Sequence, residues 1–276
     1  MQYIEVGKEN SKTIKLHFED HGAGDPVVLI HGWPLNGASW EKQELALLNS
    51  GYRVITYDRR GFGDSSQPVT GYDYDTFAAD LDKLLKILEL DDVILAGFSM
   101  GTGEVTRYMG NYGTDNIKKA CLLGSIPPYL LKTSDNPDGV DEAVFNQIKD
   151  SIKEDRLAFL TQFLNDFYNM DQLEGKFISK EVFRNSWNVA SNASATGTYE
   201  CVNAWLTDFR KDVEAIDIPT LILHGDADRI LPIDTTARKL KNLVKNNKYV
   251  EIENGPHGLL WTHAEQVNQA ILDFLD

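Results

Sequence analysis

Short, nearly unbroken apolar runs alternate along the chain with longer stretches in which apolar residues recur every three or four positions. VVLIHG (27–32), RVITYD (53–58), DVILAGF (92–98), KACLLGS (119–125) and TLILHGD (220–226) are almost continuous in Val, Ile and Leu. That is the pattern of strands buried on both faces of a parallel sheet. YVEIEN (249–254) reads as a further strand, and the weaker alternation of TIKLHFED (13–20) as an antiparallel strand near the edge. Helical periodicity runs through TFAADLDKLLKILEL (76–90), the stretch after Ser99, TTARKLKNLVK (235–245) and AEQVNQAILDFL (264–275). Strand and helix in this alternation predict an α/β protein with a mostly parallel, doubly wound sheet.

One region breaks the rhythm. From Tyr129 to Asp212 there is only helical periodicity, rich in aromatics: EAVFNQIK, RLAFLTQFLNDFYNM, KEVFRNSWNVA and TYECVNAWLTDF. Turn signals flank it at SIPPYL and IDIPT. The expected organisation is a core of residues 1–128 and 213–276 with a helical cap, 129–212, inserted between two core strands.

Composition narrows the function classes. At 276 residues and a formal net charge of −15, the chain repels phosphate backbones and anionic membranes, so no nucleic-acid or membrane partner is expected. Cys121 and Cys201 are too few for a disulfide framework. The first twenty residues carry no apolar leader core, and no apolar run reaches membrane-spanning length, so a cytoplasmic location is expected.

The chemistry centres on LAGFSMG (95–101), where Ser99 stands between Gly97 and Gly101 at a strand-to-helix junction. A reversal this sharp crowds the backbone, so the positions two before and two after its centre must be small. The central residue is then held in a strained conformation with Oγ projecting into open space. A serine hydroxyl becomes a strong nucleophile only when a base takes its proton, and that base needs an orienting acid. Ser, then acid, then His is the chain order this architecture uses.

HGDADRILP (224–232) and NGPHG (254–258) supply the acid and the base in that order. Each follows a strand, where sites form in α/β sheets. Of the six histidines, His257 alone lies on a late Gly/Pro loop. His31 and His224 end buried strands and read as structural; His17 and His21 lie on the early strand, and His263 opens the last helix. Asp226 and Asp228 compete as the acid. Asp226 directly follows Gly225 and reads as a turn cap, whereas Asp228 reaches further beyond the strand end and is favoured.

Two N–H donors are needed for a tetrahedral oxyanion. Met100, opening a helix, offers one. In HGWP (31–34) Pro34 has no N–H, so Trp33 offers the other. Pro34 also restricts Trp33 to extended backbone. Trp33, Pro34, Phe98, Ile230 and Leu259 are the candidate substrate-binding residues. Periodicity does not place the cap aromatics Phe145, Phe159 and Trp205 relative to Ser99.

HGWPLNGASWE, YDRRGFGDSSQP, GFSMGTGEV, HGDADRILP and NGPHGLLWTHAEQVN, in order over positions 31–268, resemble the α/β-hydrolase superfamily. Within it they are similar to the cofactor-free (non-heme) haloperoxidases, the bacterial chloroperoxidases and bromoperoxidases, with their aryl-esterase and lactonase relatives. The resemblance implies an eight-stranded, mostly parallel sheet with a helical cap inserted after strand 6. It implies Ser99 as nucleophile, Asp228 as acid, His257 as base, and Trp33 and Met100 as oxyanion donors. Serine at position 99 separates the chain from haloalkane dehalogenases and epoxide hydrolases, whose nucleophile is a carboxylate.

The implied reaction is acyl transfer to Ser99 from a small ester, lactone or carboxylic acid. Water then releases the acid, or hydrogen peroxide releases a peracid that oxidises halide. No cofactor and no metal are implied, since no metal-spaced cluster or heme-attachment motif occurs. The implied partners are the acyl substrate, hydrogen peroxide and halide, with a homo-oligomer as assembly. Pro after Trp at 33–34 is a haloperoxidase-like feature, expected to aim the Trp33 carbonyl at peroxide. DRRGFGDSS (58–66) is expected to be a structural turn with Arg–Asp pairing. The same triad also serves C–C bond hydrolases, amide hydrolases and acyltransferases, and the cap would decide among them.

Overall fold

The computed structural model describes residues 2–276. Its strands are β1 (Gln2–Glu9), β2 (Lys12–His21), β3 (Pro26–Ile30), β4 (Arg53–Tyr57), β5 (Val93–Phe98), β6 (Ile117–Leu123), β7 (Thr220–Gly225) and β8 (Asn247–Ile252). They form one eight-stranded sheet in the order β1-β2-β4-β3-β5-β6-β7-β8. β2 runs antiparallel to both β1 and β4, and every later pair is parallel. The mostly parallel, doubly wound sheet expected from the apolar runs is therefore present. Every residue of β5 and β7 is buried, as continuous apolar strands require.

Two elements carry too little pattern to be read in advance. β1 buries only Ile4 and Val6, and it takes the edge position, so the strand expected near the edge, β2, lies one place inward. Helix α1 (Glu41–Asn49) buries only Gln43 and Leu47.

Helices α2 (Tyr74–Ile87) and α3 (Met100–Tyr112) pack together, and α1 packs on the C-terminal α11 (Ala264–Leu275). α2 begins where the Asp73 side chain accepts the Thr76 N–H at 2.8 Å. Its buried stripe, Tyr74, Phe77, Ala78, Leu81, Leu84 and Leu85, follows the helical repeat. Each large apolar side chain so buried contributes about 1.5–3 kcal/mol. The Arg–Asp pairing expected for the 58–66 turn is Arg60 to Asp80 of α2, bidentate at 2.7 Å for both bonds.

Helices α4 (Glu142–Tyr168), α5 (Met170–Leu173), α6 (Lys180–Asn192), α7 (Ala195–Ala204) and α8 (Arg210–Glu214) lie between β6 and β7. α4 is broken at Asp155 (φ −153°, ψ 92°), whose carboxylate accepts the Ala158 N–H at 3.0 Å and starts the second segment. The break falls between the two periodic stretches EAVFNQIK and RLAFLTQFLNDFYNM. α9 (Ala237–Leu243) and the short α10 (Leu259–Thr262) complete the chain.

The connection after β3 runs to β4 on one side, and that after β4 returns to β5 on the other. Such a switch point opens a crevice beyond the strand ends, where ligands bind in α/β sheets. His31 and Trp33 follow β3, and Ser99 follows β5.

Candidate active site

Ser99 sits between β5 and α3 with φ 53° and ψ −120°, in the left-handed half of backbone space. A non-glycine residue there is strained and persists only when its surroundings dictate the conformation. They do so through glycine clearances. A Cβ on Gly97 would come 2.5 Å from the Gly101 carbonyl oxygen, and one on Gly101 would come 2.2 Å from that of Ile30. α3 thus starts in backbone contact with β5 and β3, and no larger residue fits either position. The Ser99 N–H is tied to the Leu123 carbonyl at 2.8 Å.

The Ser99 Oγ lies 2.8 Å from His257 Nε2, and His257 Nδ1 lies 2.6 Å from Asp228 Oδ2. The structure therefore brings together the three residues singled out from sequence. Two loops press together to do so: a Cβ on Gly225, ending β7, would meet the Gly255 carbonyl oxygen at 2.1 Å. Asp226 clamps the same junction by accepting the Asn254 N–H at 2.6 Å, which leaves Asp228 to face His257. Asp228 Oδ1 accepts the N–H groups of Ile230 and Leu231, both at 2.8 Å. Burial pushes the Asp228 carboxyl up, but the charge of His257 and the hydrogen bonds from His224 and His257 outweigh it. The net effect holds Asp228 well below the usual carboxylate range. The His257 ring is packed by Phe98 and Phe167, each at a centroid distance of 5.1 Å.

The expected oxyanion donors lie beside Ser99: Met100 follows it in the chain, and a Cβ on Gly32, next to Trp33, would come 2.9 Å from the Ser99 Cβ. Met100 is the first residue of α3, and Trp33 lies in a turn closed by Leu35 N–H to the Gly32 carbonyl at 3.1 Å. Neither backbone N–H has a hydrogen-bond partner among the described residues. The Trp33–Pro34 peptide is cis.

Beneath this turn lies a buried network that the sequence reading missed. Arg59 donates its backbone N–H to His31 Nε2 at 2.9 Å and a guanidinium N–H to the His31 carbonyl at 2.8 Å. His31 Nδ1 is 2.8 Å from the Gly32 carbonyl. With Nε2 accepting and Nδ1 donating, His31 is neutral. Burial, reinforced by the Arg59 charge, pushes its pKa well down. Arg59 also donates to Glu104 of α3 at 2.7 Å, and Tyr57 hydroxyl donates to the other carboxylate oxygen. Burial raises the Glu104 carboxyl and Arg59 opposes it. A glutamate inside an otherwise apolar helix face (GTGEV) was the available signal.

A cavity of about 240 Å³ opens at Ser99. Trp33 and Ile230 line it, as expected, and so do the three aromatics that periodicity did not place, Phe145, Phe159 and Trp205. Phe163, not anticipated, packs edge-on to Trp33 at 4.8 Å. Gln162, Asp166 and Arg229 bring polar groups, and Arg229 is held by Asp171 at 2.7 Å.

Pro34, Phe98 and Leu259 do not line this cavity. Phe98, immediately before the reversal, turns its ring under His257 and onto the wall of a second cavity, also about 240 Å³. Leu259 starts α10 with its side chain wholly inside the core, and Pro34 is buried within its turn. Strand-end proximity in sequence says nothing of side-chain direction.

One three-residue group among the described residues could approach a cation: His17, Asp58 and Asp64, with ligand atoms within 4.8 Å of one another. Asp58 is already engaged there by the N–H groups of Gly37 and Asp64, both at 2.8 Å, and by His17. No helix among the described residues is long and apolar enough to cross a membrane. Cys121 is buried, and burial pushes its thiol up to about 12.

Residues 25–264 match the family model for the alpha/beta hydrolase fold. A Synechocystis sp. protein, named provisionally as a non-heme chloroperoxidase, is 60% identical over 275 residues, covering 100% of both chains. A non-heme chloroperoxidase of Kitasatospora aureofaciens is 40% identical, covering 95% of this chain and 96% of its own. Among solved structures, a bromoperoxidase from Bacillus anthracis superposes with a TM-score of 0.95 at 48% identity, covering 99% of each chain.

Proposed function

Since the chain belongs to the alpha/beta hydrolase fold family, we propose that it is a serine hydrolase and perhydrolase of the non-heme haloperoxidase type, with Ser99, His257 and Asp228 as its triad. The hydrogen-bond chain from Ser99 Oγ through His257 to Asp228, at 2.8 and 2.6 Å, carries this reading. His257 Nε2 takes the Ser99 proton as Oγ attacks the acyl carbonyl. Asp228, ionised, holds the imidazole with Nε2 toward Ser99 and offsets the imidazolium charge. The oxyanion is received by the N–H groups of Met100 and Trp33, the first of them at the positive end of α3. His257 then returns the proton to the leaving group, leaving an acyl-enzyme on Ser99.

Water, deprotonated by His257, releases the carboxylic acid. Hydrogen peroxide attacking in its place releases the peracid. The peracid oxidises halide in solution: the halide attacks the terminal peroxy oxygen, the O–X bond forms as the O–O bond breaks, and hypohalous acid and the carboxylate are released. An Acinetobacter calcoaceticus relative, 34% identical over 270 residues, is named as a bifunctional esterase/perhydrolase. The substrate is a small acyl compound, an ester, a lactone or a protonated carboxylic acid, since the cavity of about 240 Å³ is lined mainly by aromatic and aliphatic side chains. Residues 129–212 act as the cap that supplies its outer wall. A cytoplasmic location and a homo-oligomeric assembly complete the reading; light scattering in solution tests the latter.

Digestion and mass analysis after a rapid quench with p-nitrophenyl acetate tests the central step. One acetyl group on the peptide holding Ser99 is expected, and acetylation elsewhere or none contradicts the triad. Pro34→Leu tests the peroxide branch. It is expected to lower the ratio of perhydrolysis to hydrolysis, and an unchanged ratio rejects a role for the Trp33 carbonyl in holding peroxide.

A further inference from the structure

His224 ends β7 and is wholly buried. Its Nε2 lies 3.0 Å from the Leu231 carbonyl oxygen and 3.1 Å from Asp228 Oδ2. A carbonyl and an ionised carboxylate only accept, so Nε2 carries a proton. Nδ1 is buried with no partner among the described residues, so nothing there would receive a second N–H. The ring is therefore neutral, with its single proton on Nε2. Asp228 Oδ2 also receives the His257 Nδ1–H at 2.6 Å. The His224 N–H is shared between the Leu231 carbonyl, its hydrogen-bond acceptor, and Asp228 Oδ2 at 3.1 Å, so two imidazoles approach one carboxylate oxygen, one from the reacting side and one from inside the sheet.

We propose that His224 is a positioning residue which shares the Asp228 charge with His257 and so sets the basicity of His257. The proposal rests on the triad reading above. Negative charge drawn toward the His224 N–H is charge not available to the His257 imidazolium. With His224 in place, Asp228 stabilises the His257 imidazolium less than a carboxylate devoted to it alone would. The pH-dependent onset of activity consequently lies lower.

The surroundings leave few competitors. Asp228 faces His224 from β7 and His257 from the loop after β8, and its Oδ1 is filled by the Ile230 and Leu231 N–H groups. Asp226 turns away to the Asn254 N–H, and Arg229 to Asp171. α4 and β5 present Phe167 and Phe98 to His257, neither of which titrates. On α4 the nearby Tyr168 hydroxyl is engaged with Ser186 at 2.8 Å. The remaining group on His257 is the Ser99 hydroxyl.

The test compares pH profiles of wild type, His224→Phe, His224→Met and His224→Gln. Two readouts apply: kcat/KM for p-nitrophenyl acetate, and the rate of Ser99 labelling by a fluorophosphonate. Phe and Met fill the site without a donor; Gln keeps an N–H near the position of Nε2. Removing the donor strengthens the Asp228–imidazolium interaction, so the acid limb of the activity profile moves to higher pH by about 0.5–1 unit. Gln is expected to restore the limb toward wild type. His224→Met serves if His224→Phe does not fold. A limb that stays in place in the donor-free variants, or that shifts equally in Gln, reduces His224 to packing and overturns the proposal. Wild-type protein in which Ser99 is not labelled at all would overturn the triad reading, and this inference with it.

Discussion

Around Ser99 the positioning is done by backbone. Gly97, Gly101 and Gly225 each sit where a Cβ would lie 2.1–2.5 Å from a carbonyl oxygen, and Ser99 itself is strained. Across the cavity the wall is made by side chains. Phe159, Phe163 and Trp205 lean on Trp33 at 6.3, 4.8 and 5.0 Å from a helical layer whose longest helix is broken at Asp155. Main-chain contacts leave one arrangement of the reacting atoms. Aromatic side-chain contacts can be exchanged one at a time. On the proposed reading, the strand ends fix what reaction occurs, and the helices choose which acyl group meets it.

Substitutions can break or sharpen that contrast. Gly101→Ala places a methyl 2.2 Å from the Ile30 carbonyl oxygen, and neither β3 nor α3 can yield without moving Ser99 or Trp33. A kcat loss of at least about 100-fold is expected, with a lower melting temperature in the same sample. Glu104→Gln strips the buried Arg59 of its charge partner. A stability loss of about 3–5 kcal/mol is expected from denaturant titration, together with weaker oxyanion stabilisation, since Arg59 holds the His31 carbonyl before Trp33. Phe163→Ala removes one ring from the wall and is expected to act the other way: KM for aromatic esters rises about tenfold while kcat stays within about threefold. Should Phe163→Ala depress kcat as deeply as Gly101→Ala, the division between the two regions fails.

The same contrast explains what could be read from sequence. β3 to β7 are legible because strands buried on both faces need uninterrupted apolar runs, and the Ser99 turn because sterics demand glycine on both sides of it. β1 hides because only Ile4 and Val6 face inward. His224 reads as structural from sequence because its contact with Asp228 depends on side-chain direction, which no spacing encodes. Phe98 and Leu259 were expected in the substrate cavity for the same reason, and Phe163 was overlooked there because an aromatic repeat marks a buried helix face without saying what it covers. Arg59 and Glu104 lie 45 residues apart in the chain, and only the fold brings them together.

The most direct test is Ser99→Ala measured side by side with wild type for p-nitrophenyl acetate hydrolysis and for bromination of a dye with acetate, peroxide and bromide. Hydrolysis and halogenation through one acyl-enzyme require both activities to fall together, by about 10⁴-fold or more. Ester cleavage lost with bromination retained would show that halide oxidation does not pass through Ser99, and would contradict the shared intermediate.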